Sequence, residues 1–266
     1  SKLMSEKIGV SRDNVETVNS CTEGLFQIIK LLNLKTGDEV IIPSVHFIGA
    51  ANAIESAGGK PVFCDVDERT LNPTSSHIQE KITSRTRAVM ILHFGGNPCD
   101  MDSILDVCNT NDLKLIEDNA NSPFSKYKGV NTGTIGDFGA WSFDSMKQLV
   151  MGDGGFVYIK DKKLVQKFMY ETYLGLKSSS GFSNSIDVKW WEFDIDKPAR
   201  RSIINDIQGA MGVEQIKKID GFINRRKEIH NTYTEQLRNL EWLTLPKDID
   251  KDCQSSYYMY HVQTDT

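Results

Sequence analysis

The run Ala88-Val89-Met90-Ile91-Leu92 carries no polar side chain before His93. A strand half-covered by the core alternates apolar and polar residues. One that is apolar at every position is covered on both faces, as in a parallel sheet with helices on each side. Shorter apolar stretches repeat the theme at residues 39–42, 61–66, 113–118, 138–143 and 155–159, with a helical stretch at 101–109 between two of them. Pro43 ends the first of these. This βα alternation predicts an α/β fold, a mostly parallel sheet flanked by helices.

Residues 164–186 read as a helix that gives way to a loop at Ser178-Ser179-Ser180-Gly181. A second helical block covers 205–240, with Val213, Ile216, Ile219 and Ile223 at helical spacing. The closing run Tyr257-Tyr258-Met259-Tyr260-His261-Val262-Gln263-Thr264 alternates like a strand and then stops, so the chain reads as part of a longer protein.

Bulk properties exclude several classes. With 39% hydrophobic and 25% charged residues in 266, the composition is that of an ordinary globular protein. A net charge of -5 gives no electrostatic reason to expect nucleic acid or an anionic membrane as partner. No apolar run approaches the roughly 20 residues that span a bilayer, and the first residues lack the apolar core of a signal peptide. The cysteines at 21, 64, 99, 108 and 253 have no paired short spacing. They read as reduced thiols of a cytoplasmic protein, not as a disulfide set or a metal site.

The chemistry concentrates at strand ends. Glu117-Asp118 closes the apolar strand at 113–118, and ligands of parallel sheets sit at the carboxyl ends of strands. Ser142 ends the next strand, and Lys147 follows five residues on, before the glycine-rich exit Gly152-Asp153-Gly154-Gly155. A lysine placed to condense with an aldehyde and an aspartate placed to hold a pyridinium nitrogen are the groups that pyridoxal phosphate requires of its protein. Upstream, Ser20-Cys21-Thr22 opens a helix with Leu25, Ile28, Ile29 and Leu32 on one face. Ser20 or Thr22 suits its N-cap, and a helix N-terminus binds phosphate. Phe47, after the strand at 39–42, offers a ring to stack on a flat cofactor, and Asn121 lies within reach of its phenolic oxygen. Singly, each residue has a plainer reading, as an N-cap, a core aromatic, a surface Asp or a solvated Lys. In order along one chain, they form a specific set.

That set resembles the DegT/DnrJ/EryC1/StrS family of nucleotide-sugar aminotransferases. Ser142-Phe143-Asp144-Ser145-Met146-Lys147 with Gly152-Asp153-Gly154-Gly155 resembles the family's Ser-Phe-x-x-x-Lys and Gly-Glu-Gly-Gly. Glu117-Asp118-Asn119-Ala120-Asn121 resembles Glu-Asp-x-Ala-Gln, and Asn19-Ser20-Cys21-Thr22 resembles the Ser-Gly-Thr phosphate turn. Runs 37–43 and 206–212 also match. The resemblance implies a fold-type I architecture. Its large cofactor domain would cover 1–205, and the connecting helix and start of a small C-terminal domain would cover 206–266.

It also implies roles. Lys147 is the Schiff-base lysine and Asp118 the partner of the pyridinium nitrogen. Cys21, Thr22 and Ser142 contact the phosphate, Phe47 stacks on the ring, and Asn121 stands where the family has Gln. The family forms homodimers with shared sites, and Arg201 and Asn205 lie in the region that reaches across. Glutamate is the implied amine donor and a nucleotide-linked keto-sugar the acceptor. Lys177, Lys189 and Arg201 are candidates to offset the acceptor's negative charge. Cys21 in place of Gly narrows the backbone freedom of the phosphate turn, and Asn121 is one methylene shorter than Gln.

Sugar dehydratases among the relatives carry His at the lysine position, so Lys147 argues against that activity. A cofactor-binding regulator without catalysis remains an open alternative. A nicotinamide enzyme is disfavoured because no Gly-x-Gly-x-x-Gly follows the first strands.

Overall fold

The computed structural model describes residues 1–177 and 193–264. The chain begins with α1 (Lys2–Ile8), β1 (Val15–Val18), α2 (Cys21–Leu31), β2 (Glu39–Pro43), α3 (Gly49–Ser56) and β3 (Lys60–Cys64). It continues with α4 (Ser75–Gln79), β4 (Thr86–Leu92), α5 (Met101–Thr110), β5 (Lys114–Asp118) and the short strands β6 (Lys126–Tyr127) and β7 (Val130–Asn131). Then come β8 (Phe138–Ser142), β9 (Gly155–Ile159), α6 (Lys162–Thr172) and α7 (Asp206–Leu237). Three two-residue strands follow, β10 (Leu243–Thr244), β11 (Cys253–Gln254) and β12 (Gln263–Thr264).

The central sheet has the order β1-β9-β8-β5-β4-β2-β3. Pairs β2/β3, β2/β4, β4/β5 and β5/β8 are parallel, and β9 runs antiparallel to both β8 and β1. Fully apolar strands follow from helices on both faces. Val40, Ile42, Ala88, Met90 and Ile116 point to one layer, where they meet Leu25, Ile28, Ile29, Ala53, Ile54 and Phe168 of α2, α3 and α6. Ile41, Val89, Ile91 and Leu115 point the other way, onto Ile78, Met101, Ile104 and Cys108 of α4 and α5. A third cluster joins Trp141, Phe156 and Tyr158 to Met4, Ile8 and Ile219 of α1 and α7. Each fully buried aliphatic side chain contributes roughly 1.5–3 kcal/mol.

Two elements depart from the sequence reading. Strand β1, Val-Glu-Thr-Val, is a half-buried edge strand whose polar centre masks it. The run at 257–264 is strand only at Gln263–Thr264. Tyr257 takes φ 53°, and the N–H groups of Tyr258 and Met259 donate to Gly95 O at 2.9 and 3.2 Å. The tail is thus pinned to a turn after β4 rather than to a neighbouring strand.

A buried ion cluster ties the second half of the chain to the first. Glu171 at the end of α6 is 1% exposed at its side chain and accepts from Lys30 of α2 and from Lys197. Burial opposes its charge, but hydrogen bonds from Lys197 and Lys30 outweigh it and hold the carboxyl below its ordinary range. A depressed carboxyl stabilises the fold above the unfolded-state pKa and loses that contribution as pH falls through the folded value. Glu171→Gln is therefore expected to lower stability by about 2 kcal/mol at neutral pH. In thermal melts across pH, the gap from the parent should close as the medium is acidified below the carboxylate range. An equal gap at neutral and acidic pH would contradict this.

Candidate active site

The carboxyl ends of β2, β4, β5 and β8 share one edge of the sheet, and β1 runs in the same sense, so the start of α2 opens there too. A cavity of about 680 Å³ lies along that edge. Its walls include Ser20, Cys21 and Thr22 before and within α2, His46 and Phe47 after β2, Asp118 and Asn121 from β5, and Ser142 and Lys147 from β8 onward.

Backbone close packing sets the helix start. Ser20 is the N-cap of α2, its Oγ accepting from Glu23 N at 3.1 Å. The N–H groups of Cys21 and Thr22 precede the first intrahelical bond and carry the positive end of the helix dipole. Gly155 of β9 allows this approach, since a Cβ there would lie 2.6 Å from Ser20 C and 2.7 Å from Cys21 N. The Cys21 side chain points inward, with Sγ 4.0 Å from Asp118 Oδ1. Burial, then the nearby Asp118 charge, push its thiol well above the ordinary value, so it stays protonated. Cys21 thus offers the helix start its backbone N–H, not a thiolate.

Asp118 pairs in register with Leu92 of β4 and Ala140 of β8. It is 3% exposed, and its Oδ1 accepts from Ala120 N at 2.9 Å. The preceding Glu117 points to the opposite face and is fully buried. It accepts from the backbone N–H groups of Gly133, Ile135 and Gly136 at 2.7, 2.8 and 2.6 Å. His93 Nδ1 accepts from Cys99 N at 3.0 Å. Its Nε2 therefore carries the hydrogen that meets Glu117 Oε2 at 3.0 Å.

Lys147 lies on the loop between β8 and β9. Phe143 N donates to Gly154 O at 2.9 Å and Met151 N to Phe143 O at 2.8 Å, closing the loop at its base. Buried Phe143, Leu149 and Met151 anchor it. Lys147 Nζ donates to Asn121 Oδ1 at 3.3 Å, faces Tyr258 Oη at 3.5 Å and lies 4.7 Å from that ring's centroid. The amine therefore points into the cavity, which Asp118 also lines.

The structure brings Lys147, Asp118, Cys21, Thr22, Phe47, Asn121 and Ser142 together, and leaves Arg201 and Asn205 outside this cavity. Asn205 caps α7, its Oδ1 accepting from Gln208 N at 3.0 Å. The Arg201 guanidinium lies 5.9 Å from the Tyr173 ring. Lys177 pairs with Asp196 at 3.5 Å, and Lys189 falls outside the described residues. Sequence reasoning passed over His46 and Tyr258. His46 sits just past the end of β2, where the rule of carboxyl-end sites could have found it. Tyr258 comes from a tail whose alternation hides a turn.

The family model described as the DegT/DnrJ/EryC1/StrS aminotransferase family matches residues 3–266. The chain is 42% identical over 257 residues to a dTDP-4-dehydro-2,3,6-trideoxy-D-glucose 4-aminotransferase of Saccharopolyspora spinosa, covering 96% of this chain and 67% of that protein. It is 34% identical over 250 residues to a GDP-perosamine synthase of Escherichia coli O157:H7, covering 94% of this chain and 65% of that protein. The solved structure of an aminotransferase, TlmJ from Streptoalloteichus hindustanus, has a TM-score of 0.93 at 42% identity, over 98% of this chain and 69% of that one. The chain spans about two thirds of the length of these relatives.

Because Glu117 satisfies three backbone donors in a dry site, Glu117→Gln turns an amide N–H toward at least one of them. A loss of about 3 kcal/mol is expected, read as a lower denaturant midpoint with an unchanged slope. An unchanged midpoint would show that the turn does not depend on this carboxylate.

Proposed function

The chain belongs to the DegT/DnrJ/EryC1/StrS aminotransferase family, and on that premise we propose that it binds pyridoxal phosphate and transfers an amine from glutamate to a keto-sugar linked to a nucleotide. The observation that carries this reading is the shared cavity, with a lysine amine, a buried carboxylate and the positive end of a helix on its walls. These groups fit a phosphorylated pyridine aldehyde. The backbone N–H groups of Cys21 and Thr22, with the Ser142 hydroxyl, would hold a phosphate. Asp118 would accept from a protonated ring nitrogen, and Phe47 would cover one ring face. When bound, the cofactor supplies an aldehyde that takes up an amine and a ring that stabilises the electron pair left by a departing proton.

The chain's own residues supply the rest. Asp118 would hold a proton on the ring nitrogen through its carboxylate. Lys147 Nζ, as a free amine facing the cavity, would remove a proton from a substrate carbon and return it to an acceptor carbon. Asn121 Oδ1 orients that amine. The Tyr258 ring, its centroid 4.7 Å from Lys147 Nζ, would cover the amine on that side. The donor's keto product would leave before the acceptor enters the same cavity, so ping-pong kinetics are expected.

The substrate class comes from the relatives, whose names carry dTDP- and GDP-linked sugars. A homodimer completes the reading. Phe47 and Met146, which line the cavity, and the neighbouring Ile48 are 67%, 77% and 62% exposed, an apolar patch suited to a second copy. Arg201 and Asn205 would serve the neighbour's site.

The test is amine transfer from glutamate to keto-sugar nucleotides, with 2-oxoglutarate release as readout. Lys147→Ala is expected to lower the rate by roughly 10³-fold while pyridoxal phosphate still raises the melting temperature. Transfer at the parent rate by the purified variant would rule out the assigned role.

A further inference from the structure

Asp118 is braced unevenly. Its Oδ1 takes the Ala120 N–H at 2.9 Å and lies near the Cys21 thiol. Its Oδ2 lies 3.7 Å from His46 Nε2. The His46 side chain is 3% exposed, yet Nε2 has no hydrogen-bond partner. On its other side Nδ1 donates to the Phe47 carbonyl oxygen at 3.1 Å, so Nε2 also carries a hydrogen toward Oδ2 when the ring is an imidazolium. The ring is thus lodged between a backbone oxygen and the carboxylate, with one nitrogen aimed at Oδ2. Among the described residues, His46 is the one basic side chain within 4.0 Å of Asp118. A buried polar atom without a partner is unfavourable, so its retention calls for a use.

We propose that His46 is a positioning residue for Asp118, its Nε2 set against Oδ2 to fix the direction in which that oxygen accepts from a protonated ring nitrogen of the bound cofactor. The inference rests on the pyridoxal phosphate reading above. His46 touches no reacting atom. It acts through Asp118, of which only Oδ1 is held by a hydrogen bond among the described residues. Oδ1 is already held by Ala120, so the oxygen left to the ligand is the one His46 faces.

Binding can be measured without turnover. The chain is titrated with pyridoxal phosphate and with the analogue in which carbon replaces the ring nitrogen, followed by absorbance and by protein fluorescence. Both carry the same aldehyde and phosphate, so the ratio of their affinities isolates the ring nitrogen's interaction. In the parent the nitrogen-containing cofactor is expected to bind more tightly, and Asp118→Ala should abolish the preference. His46→Ala is expected to reduce the ratio about tenfold. His46→Leu, which fills the space without a ring nitrogen, should do the same, and His46→Gln, which can present an N–H to Oδ2, should retain most of it.

Equal losses for both ligands in the Ala and Leu variants, with the ratio unchanged, would make His46 a packing residue and overturn the proposal. A parent that binds neither ligand, or shows no preference whether or not Asp118 is present, would instead overturn the cofactor reading and the proposal with it.

Discussion

Two neighbouring carboxylates on β5 organise this molecule, because strand geometry sends them to opposite faces. Glu117 turns into a fully dry region and gathers the backbone N–H groups of Gly133, Ile135 and Gly136, with the Nε2 hydrogen of His93. Those contacts fix the turn that leads into β8. Strand β8 in turn fixes Ser142 and the loop that carries Lys147. Asp118, one residue on, faces the cavity. Close packing repeats the logic on the other side, where Gly155 lets β9 meet the first residues of α2 backbone to backbone.

Much of this was legible in the sequence. Fully apolar runs identified strands covered on both faces, and the observed sheet is mostly parallel in that region. Gly155–Ile159 appears at the bounds expected. Lys147, Asp118, Asn121 and Ser142 were visible because strand ends are where side chains can gather at one edge, and Cys21 and Thr22 because a small polar run opened a helix. Where reading failed, local pattern and tertiary demand disagreed. β1 carries Glu16 and Thr17 at its centre because it is an edge strand. Tyr257 sits at positive φ because Gly96 O holds Ser256 N before it and Gly95 O holds Tyr258 and Met259 N–H after it. No period-two rule anticipates a residue forced into that conformation.

The same disagreement hid His46 and Tyr258. His46 looks like one polar residue in an otherwise apolar stretch, and its meaning comes only from Asp118, 72 positions away in sequence and 3.7 Å away in space. Tyr258 reaches Lys147 because Ser256 is bonded to Asn121 O and Gln148, locking the tail against the lysine loop. Arg201 and Asn205 were singled out from the family pattern, and neither enters the cavity. Asn205 has a local task as the cap of α7.

The central claim is that the Lys147 amine takes up the cofactor aldehyde in a cavity that Asp118 also lines. Reduction of the pyridoxal phosphate complex with borohydride, followed by proteolysis and mass mapping, tests it directly. The account predicts a stable phosphopyridoxyl mass on the peptide that contains Lys147 and on no other lysine. A label spread over surface lysines, or a Lys147 peptide left unmodified at saturating cofactor, would contradict it.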